Sequence, residues 1–168
     1  MFFVRTAGER DLDEVRTLMR ETLHATLNVL HVADEAEDLI AAETAPEKLR
    51  AALKEKGSEF LVADSGREIA GMGYAMMSRD FAKTAEIRWI LVHPTHQRQG
   101  VGRDIFAELE TCFPDAEILR LEVDARNRAA LAFFNAHGMV EIDRIDRIER
   151  AGGPAPLTLV LEKALGVD

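Results

Sequence analysis

The chain has 168 residues with one cysteine; 47% of its residues are apolar, 30% are charged, and its formal net charge is −9. Length and apolar content suit one domain with a sizeable core over residues 1–168, and the acidic balance argues against nucleic acid, whose phosphates need a basic face. Cys112 alone excludes an internal disulfide and fits a reducing compartment, and no apolar run reaches the roughly 18 residues of a membrane span.

The start, Met1-Phe2-Phe3-Val4-Arg5, lacks the basic flank and apolar stretch of a signal peptide, so a cytoplasmic location is expected. Phe2 to Arg5 reads as a short strand. Leu12, Val15, Leu18, Met19, Leu23 and Leu27 recur at helical spacing. A second helical stretch runs from Asp34 to Lys56, broken near Pro46, which suits the first turn of a new helix. Phe60 to Ala63 and Ile69 to Met77 read as a hairpin around the turn Asp64-Ser65-Gly66-Arg67.

Ile87 to Val92 is the strongest strand pattern, with Glu86 at its start and His93-Pro94 at its end. A helix from about Val101 to Phe113 carries Val101, Ile105, Leu109 and Cys112 on one side. Ile118 to Val123 is the next strand. Asn127 suits the N-cap of a helix carrying Ala130, Leu131 and Phe134, and Gly138 its C′ position. Val140 to Ile148 and Leu157 to Leu161 read as closing strands around a Gly152-Gly153-Pro154 loop. The strand–helix–strand unit from Ile87 to Val123 should be a right-handed parallel crossover. Its first loop then faces a ligand crevice.

That loop is His93 to Gly102. Gly100 and Gly102 allow a tight turn and close approach of the backbone to a ligand. The following helix offers free N–H groups and a partial positive charge, an anion site suited to a pyrophosphate. Arg98 and Arg103 add positive charge, and no acid stands between Pro94 and Arg103. A structural loop with solvated arginines explains the same residues. A Rossmann motif is excluded because Ile105 stands where its third glycine belongs, and no Gly-Lys-Ser/Thr triplet exists for a Walker A loop.

Gln97-Arg98-Gln99-Gly100-Val101-Gly102 resembles the Gln/Arg-x-x-Gly-x-Gly/Ala signature of the Gcn5-related N-acetyltransferases (GNAT). Asn127 to Met139 resembles that family's Asn-x-x-Ala-x-x-Phe-Tyr-x-x-x-Gly-Phe segment. The resemblance implies a mixed α/β fold. Its sheet is mostly antiparallel, with a parallel pair splayed at the CoA site and about four flanking helices. It implies direct acetyl transfer from acetyl-CoA, as cosubstrate and without a metal, to a primary amine of a small molecule or protein. Gln97, Arg98, Gln99, Gly100, Val101, Gly102 and Arg103 would hold the CoA pyrophosphate. Leu91 and Val92 would pair with the pantetheine arm, and Asn127 and Phe134 would lie against CoA. Asn127 is equally a plain helix cap. A homodimer follows from the habit of many relatives.

An alkyl amine with a pKa of about 10.4 is neutral less than roughly 0.1% of the time at pH 7, so a base is useful. Glu86 matches the glutamate of the family's histone acetyltransferase branch; solvating a strand end, or pairing with Arg88, is its structural alternative. A backbone N–H near Val92 is expected to polarise the thioester. Many relatives carry a tyrosine, as acid to the departing thiolate, where this chain has Phe134. A thiol of pKa about 8.5 leaves fairly well unaided, so the loss should slow the chemistry rather than abolish it. It keeps open the alternative of a CoA-binding regulatory module without catalysis; an enzyme using a longer acyl-CoA is a further alternative. Tyr74, the only tyrosine, reads better as a strand aromatic than as a substitute acid. His93 and His96 read as loop histidines rather than a metal pair, for want of a third ligand. His24 and His31, and the acids of Glu35-Ala36-Glu37-Asp38, read as solvated helix faces, although either group would suit the edge of an acceptor cleft.

Overall fold

The computed structural model describes residues 1–29, 33–146 and 157–166, residues 33–35 by backbone only. His31, the Glu35 side chain, the Gly152-Gly153-Pro154 loop and the last residues of the strand expected over Val140–Ile148 lie outside the described residues. The chain forms two compact units, Met1–Met76 with Trp89–Pro114, and Met77–Arg88 with Asp115–Asp168.

The first unit holds β1 (Phe3–Thr6), α1 (Leu12–Val29), α2 (Ala33–Glu43), α3 (Pro46–Lys54), β2 (Ser58–Asp64) and nearly all of β3 (Ile69–Met77). The second half of β4 (Thr84–Val92) and α4 (Val101–Thr111) complete it. Pairing of β1 with β2 and of β2 with β3 is antiparallel. Strand β3 is buried on both faces, and its side chains differ sharply between them. Met72 and Tyr74 join Val15, Leu18, Met19, Leu49 and Phe60 in one core, with Trp89 and Leu91 of β4 packed against it. On the opposite face stand Gly71 and Gly73. A Cβ on Gly73 would lie 2.5 Å from Ile105 Cγ2, and one on Gly71 would lie 3.0 Å from Val101 Cγ1. The two glycines therefore let α4 pack directly on the strand backbone. Val101, Ile105, Phe106 and Leu109 are all buried in that contact layer or beside it.

The second unit holds the first half of β4, then β5 (Ile118–Asp124), α5 (Arg128–Ala136), β6 (Val140–Asp146) and β7 (Leu157–Ala164). Strand β5 pairs with β7, and β7 with β6, both antiparallel. Strands β4 and β5 are parallel, as the crossover requires. Their register covers three pairs, Thr84↔Ile118, Ala85↔Leu119 and Glu86↔Arg120, and then stops. Among the described residues, Ile87 and Arg88 have no parallel partner.

The fold is thus mixed α/β; the described residues form seven strands in mostly antiparallel order with one parallel pair. The described residues form five α-helices, the stretch from Asp34 to Lys56 being two helices separated before Pro46, as the expected break there implies. Strand β4 begins at Thr84, earlier than its apolar run at Ile87, because Thr84 to Glu86 are held by parallel pairing. Helix α4 ends at Thr111, short of Phe113.

Candidate functional site

In the first unit, β4 runs into a 3-10 turn, Pro94–His96, and then into the loop before α4. The turn is tied down from three sides. His93 N–H donates to Ala70 O at 2.9 Å, and its Nε2 bonds Glu21 Oε2 on α1 at 2.6 Å. His96 Nε2 lies 3.1 Å from Glu68 Oε1, and its ring meets the edge of Phe2. Each histidine therefore faces a carboxylate, the arrangement of anchoring residues. Among the described residues, no group of three or more His, Cys, Asp or Glu side chains is arranged to hold a metal ion.

Past the turn, Gln97 Nε2 donates to Val92 O at 3.2 Å and folds the loop back on the strand end. Arg98 and Gly100 then take positive φ, 63° and 82°. For Gly100 this is cheap; for Arg98 a left-handed conformation costs about 1–2 kcal/mol. Such strain persists only where the surroundings fix it, and it concentrates at ligand sites. Gly102 does not share the turning role expected of it: it is the second residue of α4 and is not among the positive-φ residues. Its missing Cβ instead leaves the first turn of the helix bare. Gly100 occupies the N-cap of α4 and, as a glycine, offers no side-chain oxygen to its first N–H groups. Gln97, Arg98, Gln99 and Arg103 are all exposed. Arg103 lies over Gly100, and its Nε bonds Asp104 at 3.2 Å, which offsets part of its charge.

In the second unit, Glu86 is the third residue of β4, and its side chain is 21% exposed. Oε1 accepts a hydrogen bond from Ser78 Oγ at 3.0 Å, while Oε2 lies 3.9 Å from the Arg88 guanidinium. Asn127 caps α5, its Oδ1 accepting from Ala130 N–H at 3.2 Å, so the cap reading is met. The turn before it is braced by Arg126, whose hydrogen bonds hold the Asp124 carboxyl below its usual range. Phe134 is buried, with the Phe133 ring edge-on at 5.2 Å.

Other residues settle into structural roles. Tyr74 is buried in the first unit's core, edge-on to Phe60. Burial pushes the Cys112 thiol up to about 11, with Glu59 and Glu108 adding to the effect, so it is no nucleophile. His24 pairs with Glu37 across α1 and α2, and Ala36, inside the acidic run, is buried against Leu23 and Ile40. Sequence reasoning missed Ser78, Glu21 and Glu68. Glu21 stands 72 residues from His93, so no local spacing could have flagged it.

Residues 17–139, more than half of the chain, match the family model described as Acetyltransferase (GNAT) family. The chain belongs to that family. It is an acyltransferase with the GNAT fold that the loop and the strand order led one to expect. Solved structures agree on the fold. A PaiA N-acetyltransferase from Thermoplasma acidophilum in complex with coenzyme A is 19% identical, with a TM-score of 0.82 over 98% of this chain and 99% of that one. A ribosomal-protein-alanine N-acetyltransferase from Brucella melitensis is 22% identical, with a TM-score of 0.75 over 97% and 99%. An acetyltransferase from Thermus thermophilus is 17% identical, with a TM-score of 0.71 over 98% and 97%. Comparison with curated proteins found no match.

Proposed function

We propose that the chain, as one domain over residues 1–168, moves the acetyl group of acetyl-CoA directly to a primary amine. The observation that carries this is the loop Gln97–Gly102. It places two left-handed residues, Arg98 and Gly100, just before a helix whose N-cap is a glycine, and a helix start of this kind suits a pyrophosphate. The coenzyme A held by the Thermoplasma acidophilum structure supports the same reading.

Gln97, Arg98, Gln99, Gly100, Val101, Gly102 and Arg103 would take the pyrophosphate, with backbone amides as the main donors. Gln97 has a second task, since its amide already occupies the Val92 carbonyl. Leu91 and Val92 would line the pantetheine arm, and Asn127 and Phe134 would contact CoA. Glu86 would take the amine proton, with its exposed fraction giving access to solvent or substrate. An α-amine of pKa about 8 needs less help from that base than a lysine-type amine of about 10.4 does. Phe134 offers no proton, so the thiolate would leave unprotonated or take its proton from water. The working form is proposed to be a cytoplasmic homodimer, on the single unpaired cysteine for the compartment and on family habit for the dimer.

The test is an incubation with acetyl-CoA and a panel of polyamines, aminoglycosides, amino acids and peptide N-termini, following thiol release. Turnover on at least one amine is expected. Tight CoA binding with no turnover on any would overturn catalysis and favour a binding module.

A further inference from the structure

We infer that Ser78 is a positioning residue that fixes which oxygen of Glu86 takes the proton; this rests on Glu86 being the base. Ser78 follows β3 directly, in the turn to β4. Its N–H donates to Thr84 O at 2.8 Å and closes the hairpin. Its Oγ faces two backbone donors, Asp80 N–H at 3.1 Å and Phe81 N–H at 3.0 Å. A hydroxyl has two lone pairs and one hydrogen. With both lone pairs turned to those amides, the hydrogen points to Glu86 Oε1, 3.0 Å away.

The direction of that O–H is therefore set by the backbone, not by rotation of a free hydroxyl. Oε1 is held as an acceptor. Oε2, 3.9 Å from Arg88 and beyond hydrogen-bond reach, is the oxygen left to receive a proton. The turn itself is braced. Arg120 lies over the Phe81 ring at 4.3 Å and donates to Glu162 at 3.2 Å. Lys83 O accepts from the N–H groups of Glu117 and Ile118, at 2.7 and 3.1 Å. A serine that only finished the turn would need the two amide contacts alone. The third bond, to the carboxylate, is additional to that task.

The experiment is steady-state kinetics on full-length Ser78→Ala, Ser78→Thr, Glu86→Gln and the Ser78→Ala/Glu86→Gln double variant, with thermal melting of each. Loss of a hydrogen bond to a charged group should lower kcat about tenfold in Ser78→Ala. The KM for acetyl-CoA should stay within about twofold, since the hydroxyl bonds the proposed base. Ser78→Thr, which keeps the hydroxyl, should recover most of the rate. Within Glu86→Gln, the alanine should cost nothing further. Multiplicative losses in the double variant, or no recovery with threonine in a protein that melts normally, would overturn the positioning role. Should alanine unfold the chain, Ser78→Cys keeps the volume with a weaker donor; kcat must then fall, and wild-type kcat would overturn the role. If Glu86→Gln alone retains wild-type rates, it is the base assignment that fails.

Discussion

The loop proposed to hold the pyrophosphate and the two residues proposed to flank the reacting groups, Glu86 and Phe134, are built in opposite ways. Gln97–Gly102 would work through its backbone: it has positive φ at Arg98 and Gly100, a glycine N-cap, and exposed arginines, of which Arg103 bonds Asp104. Glu86 and Phe134 belong to the second unit and, in the proposed function, would act only through their side chains. One is a carboxylate held by a serine hydroxyl; the other is a buried ring with no proton to give. A backbone device depends on conformation and tolerates exchange of most side chains. A side-chain device depends on one functional group and fails when it is replaced. The two should therefore respond to mutation on different kinetic constants.

The largest effect is expected at Glu86. Glu86→Gln should lower kcat about 100-fold for a lysine-type acceptor, in the ordinary range for a general base. The loss should be greater at lower pH, where fewer amines are neutral. Steady-state rates across pH 6–9 check this, and an unchanged profile would remove Glu86 from the chemistry. The scaffold does not confuse such a profile. The Arg5 guanidinium holds the Asp11 carboxyl down at about 2, so its stabilising contribution is present above the ordinary 3.8 and fades only as pH falls towards 2.

Next comes a scaffold control. Gly73→Val should destabilise the chain by about 1–3 kcal/mol, because the new Cβ would meet Ile105 Cγ2 at 2.5 Å. A thermal melt should show a lower Tm, with kcat of the folded fraction little changed. Gly100→Ala should act on the other constant. Holding a Cβ at φ +82° costs about 1–2 kcal/mol, so the KM for acetyl-CoA should rise roughly fivefold to thirtyfold while kcat holds. A fall in kcat at unchanged KM would erase the contrast between the two regions. The smallest effect is expected from Phe134→Tyr. The ring is buried and a thiolate leaves without help, so kcat should change by less than about threefold in thiol-release assays. A large gain would show that the missing acid limits the rate.

The same contrast explains what could be read from sequence. Glycine at position 100 was legible because a left-handed N-cap before an amphipathic helix demands it. The crossover was legible because Ile87–Val92, Val101–Leu109 and Ile118–Val123 switch period cleanly. Arg98 was read as a charge, and its positive φ was invisible, since arginine rarely adopts it. The turn expected at Gly102 is made by Arg98 instead. Ser78 was missed because a serine before a turn is common, and only the register of the hairpin brings it to Glu86. The histidine anchors depend on Glu21 and Glu68, which lie far away in sequence.

Hydrogen exchange at the backbone amides of residues 98–102, with and without CoA, tests the central claim most directly. If the loop holds the pyrophosphate through its N–H groups, those amides should exchange more slowly when CoA is bound, and Gly100→Ala should weaken that protection. CoA binding that slows exchange elsewhere in the chain but leaves residues 98–102 unchanged would contradict the account.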